Sequence, residues 1–256
     1  MNYQEKWDES IKLRNLGKSY SIISKNLNVP RDTIIGWLLY NKKPNRPRNQ
    51  ELLPTSTKLT TSLAYILGVM NGDGFIRNIN NTSVIALAAK DFDFCKVFKN
   101  TLEIWSGIKC SKIKKRNDNL WEVALSSRKA GSCIKNFNLP QLFNSSDTIK
   151  CTFLRGLYDS EGSVNSSGYT KKVQLYNTNL NLMKLSKRLL KDIGIKSSIY
   201  KQTKNPSHKG NKTVFILQVG NGKNIKTFYE KVGFLIKRKQ EKLQKLLSSY
   251  KYNKFR

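Results

Sequence analysis

Beyond residue 60 the hydrophobic pattern switches between two periods, and it does so twice in the same order. An apolar helical run, ILGVMNGDG at 66–74, gives way to two-residue alternation in FIRN and SVIALAAK. Helical spacing follows in DFDFCKVFKNTLEIW, then alternation again in IKCSKIKKR and LWEVALSS. A second passage opens with LRGLYDSEG at 154–162 and continues through SVNS, KKVQLYNT, the helical LNLMKLSKRLLKDIG, IKSSIYKQTK and TVFILQVG. Helical material closes each passage, CIKNF in the first and FYEKVGFLIKRKQEKLQKLLSSY in the second. Because a period of 3.6 marks helix and a period of 2 marks half-buried strand, the order predicts an α+β protein. Its two pseudo-symmetric αββαββα halves, 61–148 and 149–256, each carry an antiparallel sheet.

Residues 1–43 read differently, as a small all-α module. Trp7, Ile11 and Leu13 or Leu16 give one amphipathic helix ending near Gly17; Ser19 or Ser21 caps a second, SIISKNL; Asn28 and Val29 make a turn; and Pro30 opens a third, RDTIIGWLLY. That is the layout of a helix-turn-helix, in which Arg31, Asp32 and Thr33 would face a major groove. A three-helix bundle that only packs on its neighbour fits the same pattern. Residues 44–60, with Pro44, Pro47 and Pro54 among basic and polar residues, have the composition of an extended linker.

Composition narrows the partners. Lysine and arginine number 47 against 17 acids, for a formal charge of +30, and beyond Gly162 only Asp192, Glu230 and Glu241 oppose 22 basic residues. So large an excess points to a polyanion, and double-stranded DNA suits it because Lys and Arg release condensed counterions from phosphates. No stretch reaches the roughly 18 apolar residues of a membrane span. No signal peptide opens the chain, so a soluble intracellular protein of cytoplasm, nucleoid or organelle matrix is expected. Cys95, Cys110, Cys133 and Cys151 form no CxxC pair and sit in apolar surroundings, and His208 is the only histidine. Zinc fingers, histidine-based nucleases and Ser/His/Asp triads are therefore disfavoured.

Strand alternation sorts the basic residues onto one side. With Ile113, Ile85, Leu87, Val173, Leu175 and Ile199 inward, Ala86, Ala88, Lys90, Lys112, Lys114 and Arg116 face outward in the first half. Lys172, Gln174, Tyr176, Ser198, Tyr200, Gln202 and Lys204 do so in the second, with Arg77, Arg128, Lys129 and Asn165 as further candidate DNA contacts. Together these faces would make a DNA-binding saddle.

The two nonapeptides carry the candidate chemistry. Gly68 with Gly72, and Gly156 with Ser160, place small residues at i and i+4, so two such helices can cross with their backbones nearly touching. The crossing would bring Asp73 and Glu161 together at two helix C-termini, where each carboxylate repels the other and the negative end of its own helix. A divalent cation resolves that conflict. Oxygen donors without histidine suit Mg²⁺, or Mn²⁺, with Gly72 and Ser160 beside the acids as further metal contacts. Either acid alone also reads as a surface residue before a capping glycine; two copies at matching positions read as a pair. Asn71 stands where the second copy has Asp159, so the pairing is not perfectly symmetric.

ILGVMNGDG and LRGLYDSEG resemble the two motifs of the LAGLIDADG homing endonucleases in their single-chain form, and VALSSRK and GIKSSIY are similar to archaeal intron-encoded members. The resemblance covers 60–233 and leaves the helix-turn-helix outside. It implies a monomeric enzyme that makes a staggered double-strand break in a long asymmetric site. It also implies helper lysines near the scissile phosphates, with Lys90 the first candidate and Lys129 and Lys223 behind it. An RNA-binding intron maturase, or a helix-turn-helix regulator with an idle second domain, would use the same scaffold. The absence of splice-junction residues argues against an intein.

Overall fold

A computed structural model describes residues 3–43, 58–79, 82–166, 171–202 and 213–252. The chain divides into two compact units, Met1–Leu52 and Leu53–Arg256. The proposed linker segment 44–57, Lys204 and His208 lie outside the described residues.

In the smaller unit, α1 (Tyr3–Asn15), α2 (Tyr20–Leu27) and α3 (Arg31–Leu38) enclose Ile23, Leu27, Val29, Ile34 and Trp37. The Ser19 hydroxyl accepts from the Ile22 N–H at the start of α2, and Asn28 ends that helix in the left-handed region at φ 47°. Helix α1 turns inward the face that holds Trp7 and Leu13, two of the apolar positions its sequence offers. Trp7, Ser10 and Leu13 face the core while Leu16 is exposed, because Ser10 satisfies its hydroxyl on the Trp7 carbonyl at 2.7 Å and can be buried without penalty.

The larger unit begins with α4 (Thr61–Met70), which runs into β1 (Gly74–Ile79), β2 (Thr82–Ala89), α5 (Phe92–Ser106), β3 (Lys114–Lys115), β4 (Trp121–Ser126) and α6 (Arg128–Lys135). After a 3-10 turn at Leu139–Asn144 the second passage follows: α7 (Asp147–Glu161), β5 (Gly162–Asn165), β6 (Lys172–Asn177), α8 (Leu180–Asp192), β7 (Ser198–Lys201), β8 (Phe215–Val219), α9 (Gly222–Lys231) and α10 (Lys237–Tyr252). Two four-stranded antiparallel sheets result, ordered β1-β2-β4-β3 and β5-β6-β8-β7. Their registers repeat at the spacing of the motifs, Gly74 opposite Leu87 and Gly162 opposite Leu175. The protein is thus α+β, with one continuous core joining both halves.

Two elements depart from the sequence pattern. The expected strand IKCSKIKKR keeps a regular register only at Lys114–Lys115, with a further backbone bond from the Ser111 N–H to the Ala124 carbonyl, and Ile113 packs against the core as its alternation requires. The last helical stretch breaks in two at Gly233, which takes φ 57°; the N–H groups of Val232 and Gly233 both close on the Phe228 carbonyl, and Arg155 of α7 donates to the Lys231 and Val232 carbonyls. An amphipathic pattern runs through such a break unseen, because the apolar residues on either side still find a core.

Candidate active site and nucleic-acid interface

Seven consecutive residues of α4, Leu63 to Val69, are buried, since this helix is covered on one side by α7 and on another by α5. A helix apolar all round is a central one. Where α4 crosses α7 the backbones touch: a Cβ on Gly68 would run into the Phe153 carbonyl and reach the Leu157 nitrogen at 2.7 Å, and one on Gly156 would strike the Tyr65 carbonyl. A Cβ on Gly72 would meet Ser160 Oγ at 2.9 Å and Glu161 Cγ at 3.0 Å, so the side chain of Glu161 lies against the backbone just before Asp73. Each acid is the last residue before the first strand of its sheet.

The electrostatics fit a paired site. Burial raises the Asp73 carboxyl above the ordinary range, opposed by the Lys239 charge. Glu161 is raised by burial and by the Asp73 charge, again opposed by Lys239. Glu161 therefore feels the Asp73 charge, and among the described residues the cation that bears on both acids is Lys239. The lysines singled out from the sequence stand elsewhere: Lys90 is exposed just past β2, Lys129 in the first turn of α6, and Lys223 near the start of α9. Lys239 lay hidden in a helical run crowded with basic residues.

Its ammonium donates to the Tyr158, Asp159 and Ser160 carbonyls at 3.2, 2.6 and 3.1 Å. The Ser160 carbonyl, a candidate metal contact, is thus engaged by a lysine, and the Ser160 hydroxyl donates to the Gly156 carbonyl at 3.2 Å. Asp159 is 1% exposed and turns away from the pair: it accepts from the Tyr65 hydroxyl at 2.8 Å and from the Leu235 N–H at 3.0 Å.

On the sheet face expected to meet DNA, most side chains stand where alternation puts them. Arg77, Lys112, Lys114, Arg116, Arg128, Lys129, Ser198, Tyr200 and Gln202 are exposed, while Ala88, Asn165, Lys172 and Tyr176 are half-buried. In the smaller unit Arg31 is exposed and Thr33 half-buried.

Ala86 is a correction, with 0% accessible surface. It sits on a central strand between Phe75 and Ala124, and Arg77 lies over the Phe75 ring at 5.0 Å, so a methyl group there is shielded by its neighbours. Gln174 is also nearly sealed, at 9%, because its amide bonds to Gln218 at 3.3 Å and to the Tyr176 hydroxyl at 3.0 Å. Ser163, Gln218 and Glu122 share these faces and were missed, although the same alternation locates them. Glu122 matters most: it pairs with Arg77 at 2.8 Å and Arg116 at 3.5 Å, partly neutralising the basic face of the first sheet.

The family model of the LAGLIDADG-like domain matches residues 148–233. The chain belongs to the LAGLIDADG family. It is 32% identical over 256 residues to an uncharacterized protein of Methanocaldococcus jannaschii, covering 93% of this chain and 91% of that one. Among solved structures, the homing endonuclease I-DmoI in complex with DNA and Mn superposes with TM-score 0.52 at 19% identity, over 68% of this chain and 97% of that one. Full-length DUF199/WhiA from Thermatoga maritima does so with TM-score 0.54 at 18% identity, over 78% and 64%. At such identities the likeness shows the fold. Among the described residues, no helix is long and apolar enough to cross a membrane.

Proposed function

We propose that this protein is a site-specific double-strand DNA endonuclease whose reactive centre is the Asp73–Glu161 pair, working as a monomer on a long asymmetric site. The observation that carries the reading is the backbone-to-backbone crossing at Gly68 and Gly156, which sets two acids from distant stretches of chain side by side, Asp73 exposed and Glu161 half-buried. A crossing this tight can be sealed with any small residues, but it has no structural need of two repelling carboxylates at its end.

The donors are all oxygen, and among the described residues no His, Cys or third acid joins them. Such a set suits Mg²⁺ or Mn²⁺, which take one or two carboxylates and complete their shell with phosphate and water. Asp73 and Glu161 would hold the ion, with the Gly72 carbonyl beside them. When bound it would neutralise charge on the scissile phosphates and activate water. The complex of I-DmoI with DNA and Mn supports this choice of partner and cofactor. The exposed cations and amides of the two sheets would hold the duplex, Lys and Arg on phosphates and Gln and Asn on base edges. As the two halves differ at almost every such position, they would read unlike half-sites. Lys90, at the end of β2, would approach a phosphate, and Arg31 and Thr33 of the three-helix unit would add a separate contact.

The test is incubation with DNA that carries the uninterrupted insertion site, with and without Mg²⁺, for the native chain and for Asp73→Asn. Metal-dependent cutting that vanishes in the variant is expected. Binding without cutting in both would favour a DNA-binding regulator, and preference for intron RNA a maturase.

A further inference from the structure

We propose that Lys239 is a resident counter-ion of the Asp73–Glu161 pair: a positioning residue whose ammonium closes the end of α7 and keeps the two carboxylates assembled before any metal arrives. The inference rests on reading those acids as the reactive centre.

Lys239 lies in the first turn of α10, where the positive end of the helix dipole disfavours a cation. It is nonetheless 9% exposed. A buried ammonium in that place needs strong negative partners, and it has them. The three carbonyls it binds are those of the last turn of α7, immediately before Glu161. An ammonium has three protons, and these three bonds use them all. None is left for a phosphate, so Lys239 does not touch the reacting atoms.

The carboxylate that bears on it most is Asp159, followed by Asp73 and, from the first half, Asp91, opposed by Arg238; Lys239 in turn acts on Glu161. The first motif has no equivalent: at the end of α4 the Asn71 amide closes on the Leu67 carbonyl at 2.8 Å. One buried cation therefore serves two acids. The chain break at Gly233 makes this possible by returning α10 to the motif helix, where the Leu235 and Ile236 N–H groups dock on Asp159.

A double-mutant cycle on the full chain, read by thermal melting of the larger unit in EDTA, separates this role from simple capping. Lys239→Met is expected to lower Tm by at least about 4 °C more in the native background than in Asp73→Asn/Glu161→Gln, since the cation then has less charge to balance. Lys239→Gln, which can still donate to the carbonyls, should show the same difference. Added Mg²⁺ should recover part of the loss only where both acids are present. If Lys239→Met does not fold, folding of the triple variant supports the proposal and its failure to fold overturns it. Equal losses in both backgrounds, full rescue by Lys239→Gln, or coupling that appears only with Asp159→Asn would overturn it too. The cycle needs no DNA, so it can succeed even if no DNA is cut.

Discussion

The Tyr65 hydroxyl of α4 donates to the Asp159 carboxylate of α7 at 2.8 Å, directly across the crossing of the two motif helices. Asp159 spends its remaining acceptor capacity on the Leu235 and Ile236 N–H groups ahead of α10. Three segments far apart in sequence thus meet on one buried carboxylate, which explains why the second motif keeps an acid where the first has Asn71.

Tyr65→Phe removes one donor from that carboxylate and leaves the rest of the packing in place. A loss of about 1 to 3 kcal/mol is expected, the cost of under-satisfying a buried charged acceptor. Urea denaturation of the larger unit measures it, and a loss below about 0.5 kcal/mol would mean that the hydroxyl adds little.

Gly68→Ala puts a methyl group into the backbone of α7, where neither helix can retreat without opening the core. Destabilisation above about 3 kcal/mol follows, with loss of a cooperative transition in the larger unit as the extreme outcome. Gly36→Ala in α3 is the control: nothing lies within 4 Å of the added carbon, and about 0.5 to 1 kcal/mol of stabilisation is expected from helix propensity. Melting curves of both variants decide the matter.

Arg238 of α10 grips Asp91 through its Nε and Nη2, at 3.1 and 2.8 Å, and so ties the C-terminal helix to the first half. That hydrogen-bonded pairing, stronger than the opposing effect of burial, holds the Asp91 carboxyl below its ordinary value. A depressed acid stabilises the fold at pH values above its unfolded pKa and loses that contribution as pH falls through the folded one. Asp91→Asn should therefore cost on the order of 1 kcal/mol at pH 7 and progressively less below about pH 4, so that its urea midpoint converges on the native one. A gap that stays constant with pH would show that the pair contributes through packing alone.

Glu122 holds Arg77 and Arg116 on the face of the first sheet. Glu122→Gln frees Arg77 for phosphate while Arg116 keeps its pair with Asp118 at 3.0 Å, so DNA affinity at low salt should rise and log K should fall more steeply with log salt, by about 1 in slope. Lys114→Ala should reduce the slope by about 1. Fluorescence anisotropy over a salt series reads both, and an unchanged slope in each would place the duplex elsewhere.

Much of this arrangement was legible in the chain because it depends on local order. Helix and strand periods located both halves, and the repeated small residues at Gly68, Gly72, Gly156 and Ser160 marked the contact face of each motif helix. Strand parity placed Lys112, Lys114 and Arg116 on the outer face, and it would have placed Glu122 and Gln218 had it been carried across every strand. Parity says which way a side chain points and nothing about what stands over it, which is why Ala86 and Gln174 turned out sealed.

The amino-acid order by itself determined the architecture and the identity of the acidic pair, since both follow from periodicity and from motifs repeated at a fixed spacing. Only the tertiary structure decided the surroundings of that pair. The turn at Gly233 returns α10 to the motif helices and buries Lys239 against their ends, 78 residues beyond Glu161. No local pattern encodes such a contact, because it arises from closing a long loop: its partners are chosen by which buried donors and acceptors must be satisfied once the core has formed.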